Sequence, residues 1–354
     1  MLQTKVTHKF TTNASHTYYK GFLIDYNLQN FFTGRIWSRH STPFPQPKIE
    51  TYIKRGYFTI LSAVETKPKI KCRRCLNVEQ HTFITFNCAK CQQRCTYCRH
   101  CIAMGRMCSC DDLILWKAPS IHPTQSHILN WTSSYTSQQA LAAQELTESI
   151  KQNRSHLIHA VCGAGKTEIL FAPIYEALQQ GKRVCVATPR TDVVLELFPR
   201  FKQVFPQTMV HAYYGGVEPQ QGFAQLVIST THQLYRFEHA FDVMIVDEAD
   251  AFPYIYDEAL QRAVLKAKTT SAPIAFVTAT PSKKLLLEQK QDHWGYSFIA
   301  RRFHGHPLPV PKFQALWNYE KAFRKGKIPH KFLRWLHQKL QNNEPFLIFF
   351  LQSN

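Results

Sequence analysis

The chain has 354 residues, 44% of them hydrophobic, with 43 Lys and Arg against 24 Asp and Glu, a formal charge of +19 and a pI near 9.5. That length holds two or three domains with a sizeable core, and the charge favours polyanions, nucleic acid before an anionic membrane surface. No apolar run reaches the ~20 residues of a spanning helix, and MLQTKVTHKFTTNASH lacks the apolar core and cleavage site of a signal peptide, so a cytoplasmic location is expected.

Residues 1–66 mix aromatic and polar residues, with a Pro-rich break at PFPQP (43–47) and a strand predicted over YFTILSAVE (57–65). No chemistry can be assigned to this region. Residues 67–118 form a cysteine-rich segment, in which nine of the eleven cysteines fall between Cys72 and Cys110. The pattern runs KCRRC, NCAKC, RCTYCRHC and MCSC. In a reducing compartment such close pairs read as metal ligands, because each C-x-x-C turn aims two thiolates at one Zn²⁺. Arg73, Arg74, Lys90, Arg94 and Arg99 favour the thiolate form. A redox C-x-x-C would open a helix in a βαβ setting, which several consecutive pairs do not resemble. Cys72, Cys75, Cys98 and Cys101 are the first candidate set. Cys88 and Cys91, with Cys108 and Cys110, form a second set in crossed order, and Cys95 and His100 are substitutes. Cys162 and Cys185 lie outside the module and read as loop residues or small buried apolar residues.

A polar linker around Pro119, Pro123 and Ser126 leads into an α/β pattern over 119–300. SQQALAAQELTESIKQ (137–152) is an amphipathic helix with Ser137 as N-cap. Strands are predicted at HLIHAV (156–161), RVCVATP (183–189), LVIST (226–230), FDVMIVDE (241–248) and IAFVTAT (274–280). The helix TEILFAPIYEALQQ ends at Gly181. Short β-branched runs alternating with helices imply a mostly parallel sheet covered on both faces.

AVCGAGKT (160–167) follows a strand and opens a helix, the context a phosphate loop requires. Gly163, Ala164 and Gly165 turn backbone N–H groups toward phosphate oxygens, and the helix N-terminus adds partial positive charge. Lys166 reaches the β- and γ-phosphates of ATP, and Thr167 ligates Mg²⁺. Ala160 replaces the first glycine of the strict motif, and a chance glycine turn is the bland alternative. MIVDEAD (244–250) puts Asp247 and Glu248 at the C-terminal edge of a strand, where ligands of parallel sheets bind. Asp247 can hold Mg²⁺, and Glu248 can orient or deprotonate the attacking water. Alone, such a string is more often a solvated acidic turn.

Together these motifs resemble the superfamily 2 helicase core. WTSSYTSQQ (131–139) resembles the segment that sets a Gln near adenine, with Gln139 the best match and Gln138 the alternative. ATPR (187–190) and STTHQL (229–234) resemble segments contacting the nucleic-acid backbone, through Pro189, Arg190, Thr230 and Thr231. VTATP (277–281) resembles the segment coupling ATP state to strand binding, through Thr278 and Thr280.

A cysteine module directly before a DEAD-type core is an unusual order. CTYCRHCIAMGR, CGAGKTE and VDEADAFPY together resemble the ComFA competence family of Gram-positive bacteria over about residues 50–350. The resemblance implies a RecA-like ATP-binding domain behind a small zinc module. It also implies a DNA-dependent ATPase using ATP, Mg²⁺ and Zn²⁺ and translocating on single-stranded DNA during DNA uptake. The implied partners are single-stranded DNA and other competence proteins, with the protein peripheral to the inner face of the cell membrane. The alternatives are a general DNA or RNA helicase, and a non-enzymatic zinc- and nucleotide-binding DNA adaptor.

Residues 301–354 read as the start of a second lobe. HPLPVPKF (306–313) is a hinge, KIPHKFLRWLHQKLQNNEP a helix and FLIFFL (346–351) a buried strand. LQSN lacks the expected turn, and no Gln-Gly-Arg-type segment follows. The second RecA-like lobe, with its charge-stabilising arginines, is therefore expected to be mostly missing and ATP turnover impaired.

Overall fold

The computed structural model describes residues 12–13, 16–19, 22–120, 122, 125–218, 220–305, 310, 312–317 and 319–349. The chain divides into two compact units, 1–306 and 307–354.

In the first unit seven strands make one parallel sheet. They are β1 (His156–Ala160), β2 (Val184–Thr188), β3 (Val210–Tyr213), β4 (Leu226–Thr230), β5 (Val243–Asp247), β6 (Ile274–Thr278) and β7 (Gly295–Ile299), in the order β3-β4-β2-β5-β6-β1-β7. The inner strands read as continuous apolar runs because both faces are covered. Ile158, Val184, Val186 and Ile245 pack on one face with the helices Ser137–Lys151, Phe171–Gln179 and Thr191–Val204. Leu157, Cys185, Met244 and Val246 pack on the other. Sequence reading missed two strands, and both lie at the sheet margins. VHAY carries His211 and Tyr213, and Gly295–Ile299 alternates buried and exposed.

Helix ends differ from the expectation in two places. Thr136, and not Ser137, caps the helix Ser137–Lys151. Its hydroxyl accepts from the Gln139 amide, while the Gln139 side chain accepts from the Thr136 amide, a capping box. The helix after the phosphate loop is interrupted at Leu170, between Lys166–Ile169 and Phe171–Gln179. Pro173 has no N–H to offer the Ile169 carbonyl four residues back, and its ring crowds that carbonyl.

The described residues between 22 and 66 and the cysteine segment share one small sheet. Asp112–Trp116 is the middle strand of an antiparallel sheet between Ile36–Ser38 and Phe58–Ser62. The cysteine segment is thus an insertion between two neighbouring strands of one small domain. Its core is aromatic, with Phe31, Phe32, Tyr57 and Phe58 buried. This domain packs against the parallel sheet through Gly34 and Arg35. A Cβ at Gly34, where φ is +70°, would lie 2.5 Å from that of Ala240. Arg35 is buried and donates to the Tyr213 hydroxyl.

In the second unit, His330–Gln341 forms the expected helix. FLIFFL is not a strand over its described residues 346–349, and Leu347 and Phe349 are 82% and 88% exposed. A strand needs a partner for its backbone groups, and no strand occurs among the described residues of this unit. Most of the expected hinge, and residues 350–354, lie outside the described residues.

Candidate nucleotide and metal sites

The strand order sets the site. β1 leads into the phosphate loop, β6 lies beside it, and β5 comes next, so Gly163–Thr167, Thr278 and Asp247 share one edge of the sheet. Gly163 and Gly165 have φ of +77° and +72°, a region that costs other residues steric strain. Ala164 is buried at the turn, and Cys162 is an exposed loop residue while Cys185 is buried.

Asp247 is 6% exposed. Burial pushes its carboxyl up to about 6, against the opposing charge of Lys166. A bound divalent cation would offset that burial cost, and the hydroxyl of Thr167 could be a complementary ligand. Glu248 has φ of +53°, a strained conformation for a side chain of its size. Its amide donates to Asp247 Oδ1 at 3.0 Å and its carbonyl accepts from Ala251 at 2.9 Å. Asp250 closes the motif onto β6 through a hydrogen bond from the Thr280 hydroxyl. Burial pushes Asp250 up, but bonds from Thr280 and Thr278 outweigh it and its pKa lies below the ordinary value. Thr278 Oγ1 in turn accepts from the Thr280 amide at 3.1 Å.

Gln139 lines a cavity next to the phosphate loop and also braces that loop. It is 1% exposed, and its amide is engaged at both ends. Oε1 accepts from Thr136, and Nε2 donates to the Ala164 carbonyl at 3.0 Å. It ties the Ser137–Lys151 helix to the phosphate loop. Gln138 is exposed. Beside Gln139 a cavity of about 370 Å³ is lined by Trp131, Ser133, Phe171, Arg200 and Phe303 among others. Its aromatic walls and adjacent phosphate loop suit a nucleobase.

Of the four residues read as nucleic-acid contacts, only Arg190 is exposed. Pro189 is buried, and Thr230 and Thr231 are 4% and 0% exposed, at the end of β4 and the turn after it. Arg190 donates from Nε to Asp192 at 3.1 Å, and its guanidinium reaches toward Glu248. Sequence reading passed over four residues around this edge. Phe252 and Tyr256, just beyond Asp250, are 76% and 81% exposed. Phe303 donates its amide to the Gly163 carbonyl at 2.8 Å, and the Arg302 side chain lies against Gly163. The aromatic residues in AFPYIYDE were the available signal for the first pair. The second pair follows β7, a strand that was itself missed.

Cys72, Cys75, Cys98 and Cys101 are brought together, every sulfur within 4.8 Å of the others. Cys72–Cys101 is 3.8 Å and Cys75–Cys98 3.7 Å. A tetrahedral Zn²⁺ with bonds of ~2.3 Å has a sulfur–sulfur edge of ~3.8 Å, so the four residues fit zinc. Arg74 donates to Cys101 Sγ at 3.3 and 3.0 Å, which offsets thiolate charge. These four cysteines belong to the buried cluster on the second face of the sheet. Lys266 fastens them there, donating to the carbonyls of Arg74 at 2.6 Å and Tyr235 at 2.8 Å.

In the second cysteine set the substitute Cys95 takes the place expected for Cys108. Cys88, Cys91, Cys95 and Cys110 converge, and Cys108 is not among them. The hairpin register sets Cys95 opposite Phe86, beside the Cys88–Cys91 turn. Cys108 instead bridges Tyr97 and donates its amide to Asp111 at 2.9 Å. His100 is not a substitute ligand either. Its Nε2 lies 3.3 Å from the Tyr235 hydroxyl and 3.7 Å from Asp257.

Residues 19–115 match the family described as the competence protein ComFA N-terminal domain, and residues 132–283 match the type III restriction enzyme res subunit. The competence protein ComFA of Bacillus subtilis is 40% identical over 323 residues, covering 91% of this chain and 69% of that protein. The chain belongs to the ComFA family. The ComFA of Streptococcus pneumoniae is 34% identical over 72% of this chain and 58% of its own length. The replication restart protein PriA of Chlamydia pneumoniae is 24% identical over 60% of the chain and 31% of that protein. A hypothetical ATP-dependent RNA helicase from Sulfolobus tokodaii is a structural neighbour with 19% identity and a TM-score of 0.38, over 48% of this chain and 53% of that one. This ComFA chain therefore combines a family N-terminal domain with a helicase-like ATPase-family domain. No helix among its described residues is long and apolar enough to cross a membrane.

Proposed function

We propose that this protein is an ATPase driven by single-stranded DNA, acting in DNA uptake during genetic competence. The observation that carries the reading is the shared sheet edge. The phosphate loop, Asp247 and the Thr278–Thr280 turn lie there side by side, with Glu248 facing the exposed cation Arg190. In this reading Lys166 neutralises the β- and γ-phosphates, Thr167 and Asp247 hold Mg²⁺, and Glu248 orients the attacking water. Magnesium, when bound, supplies charge neutralisation on the phosphates. The base would sit in the cavity walled by Trp131 and Phe171, with Gln139 bracing the loop from behind. The hydrogen bond that the Thr280 hydroxyl donates to Asp250 links this edge to the end of β6, a route by which nucleotide state can bias strand binding.

Arg190, Phe252 and Tyr256 support a nucleic-acid strand as the second ligand. A cation paired with Glu248 and two exposed aromatic rings four and eight residues after Glu248 would suit phosphate pairing plus base stacking, which only an unpaired strand permits. The relatives are named competence proteins, which supports a role in competence; in this reading the partners would be DNA and other competence proteins at the inner face of the cell membrane. Cys72, Cys75, Cys98 and Cys101 would hold a structural Zn²⁺ that fixes the N-terminal domain against the motor.

Steady-state ATP hydrolysis with and without single-stranded DNA tests the proposal. Turnover is expected to rise with single-stranded DNA and to vanish in Lys166→Ala, which should raise the Kd for ATP at least about tenfold. Equal stimulation by RNA would favour a general helicase. A folded chain that hydrolyses no ATP under either condition would leave only the adaptor reading.

A further inference from the structure

The second cysteine cluster repeats the backbone of the first. In the Cys72–Cys75 turn, the Cys72 amide donates to Asn77 O at 3.0 Å and the Leu76 amide to Cys72 O at 2.8 Å. In the Cys88–Cys91 turn, the Cys88 amide donates to Gln93 O at 2.9 Å and the Gln92 amide to Cys88 O at 2.9 Å. The residue after the second cysteine is left-handed in both, Leu76 at φ +58° and Gln92 at φ +57°. Neither is glycine, so each turn holds a conformation that side chains disfavour.

The side chains complete the pattern. Cys88–Cys110 is 3.8 Å, the edge of a zinc tetrathiolate, and Cys91–Cys95 is 3.3 Å, within about half an ångström of it. All four sulfurs lie within 4.8 Å of one another. Disulfide pairing calls for only two convergent sulfurs at ~2.05 Å, whereas four sulfurs meet at one point. Lys90, between two of the ligands, pairs at 2.9 Å with Asp111 beside the fourth, adding positive charge next to the cluster.

We infer that Cys88, Cys91, Cys95 and Cys110 form a second zinc site, independent of the Cys72 set and interleaved with it along the chain. Each thiol loses its proton on binding the ion. The site joins the tip of the Phe83–Asn87 and Arg94–Cys98 hairpin to the start of the strand Asp112–Trp116. It therefore tethers an otherwise two-stranded ribbon, which is marginal alone, to the sheet of the N-terminal domain. The two sites differ in access. The ligands of the first are 0–2% exposed, while Cys91 and Cys110 of the second are partly exposed. The second ion is accordingly the one that exchanges faster.

The test is zinc stoichiometry of the full chain, purified anaerobically, together with the kinetics of zinc release to a chromogenic chelator. Two equivalents are expected, released in two phases of equal amplitude. The Cys91→Ser, Cys95→Ser double variant should hold one equivalent and lose the fast phase, while Cys108→Ser should keep both. One equivalent in the folded wild-type chain overturns the inference without recourse to any variant. So does loss of an equivalent in Cys108→Ser with none lost in the double variant. Stoichiometry is read independently of ATP turnover, so this result and that of the ATPase assay stand apart.

Discussion

The guanidinium of Arg190 lies 3.8 Å from the carboxylate of Glu248, joining an exposed cation at the end of β2 to the candidate catalytic carboxylate at the end of β5. The same Arg190 is paired with Asp192, so it sits between two carboxylates. A nucleic-acid phosphate at Arg190 would compete with both. Strand binding would then free Glu248 to act on water, a direct physical link between DNA and hydrolysis.

Arg190→Gln should therefore raise DNA-free ATP turnover while reducing the fold stimulation by DNA. The pair is exposed and solvent-screened, which limits the basal increase to about fivefold or less. DNA binding should weaken, with its log–log salt slope shallower by about one. Arg190→Lys should stay near wild type on both counts. A basal rate unchanged in Arg190→Gln while DNA binding falls would separate the two functions and remove the link.

Phe252 and Tyr256 project into solvent next to this edge, where large apolar rings are costly unless a ligand covers them. Alanine at both should weaken single-stranded DNA binding by ~1–3 kcal/mol per stacked base and change duplex binding little. Fluorescence anisotropy with matched single- and double-stranded oligonucleotides reads the difference. Equal weakening on both substrates would argue for a backbone contact instead.

The parts of this architecture legible in the sequence are those in which one local pattern decides the outcome. The inner strands betray themselves as unbroken apolar runs, because burial on both faces removes the polar alternation. The phosphate loop and Asp247 follow from spacing plus strand context. What escaped depends on long-range pairing. Cys95 and Cys108 are equally good ligands by spacing, and only the hairpin register that sets Cys95 opposite Phe86 chooses between them. Gly34 and Arg35 showed no chemistry in the sequence because they act by packing, through Ala240 and Tyr213 some two hundred residues away. Gln139 was found, but its engagement with Ala164 is visible only in three dimensions.

Arg183 is the second arm of that packing. It is 4% exposed, with Nε donating to Ala224 O at 3.0 Å and Nη1 to Thr33 O at 3.0 Å. The guanidinium also lies over the Phe223 and Phe241 rings, 4.5 and 5.0 Å from their centroids. Arg183→Met keeps the aliphatic stem but leaves one buried and one half-buried carbonyl without their donor. A loss of ~2–4 kcal/mol in urea unfolding is expected. Because Thr33 belongs to the N-terminal domain, limited proteolysis should also cut more readily between the two domains. Unchanged stability would mean that water or another donor takes over both carbonyls.

His156 gives the fold a predictable acid limit. It is 1% exposed at the start of β1, with Nδ1 2.9 Å from Ser149 Oγ and Nε2 2.9 Å from Ser297 Oγ. The Ser297 hydroxyl donates to Glu145, so it accepts from His156, which places the single imidazole proton on Nε2 and leaves Nδ1 to accept from Ser149. A second proton on Nδ1 would break that arrangement. Burial, helped by the Arg154 charge, lowers the pKa to about 4. A depressed histidine takes up its proton in the unfolded chain first, so its contribution to stability is present above about pH 6.5 and is lost as pH falls toward 4. Between pH 7 and 5 this one group should cost about 2 kcal/mol. His122 and His211 are also lowered to about 4 by burial, so they titrate alike in wild type and variant and cancel in the comparison. His156→Gln should be less stable than wild type at pH 7, by about 1–2 kcal/mol for imperfect pairing. It should then lose about 2 kcal/mol less than wild type on going to pH 5. Urea midpoints of both proteins at the two pH values decide it. If the two lose stability in parallel, His156 is not held neutral by its burial between Ser149 and Ser297, and the acid limit of the fold lies elsewhere.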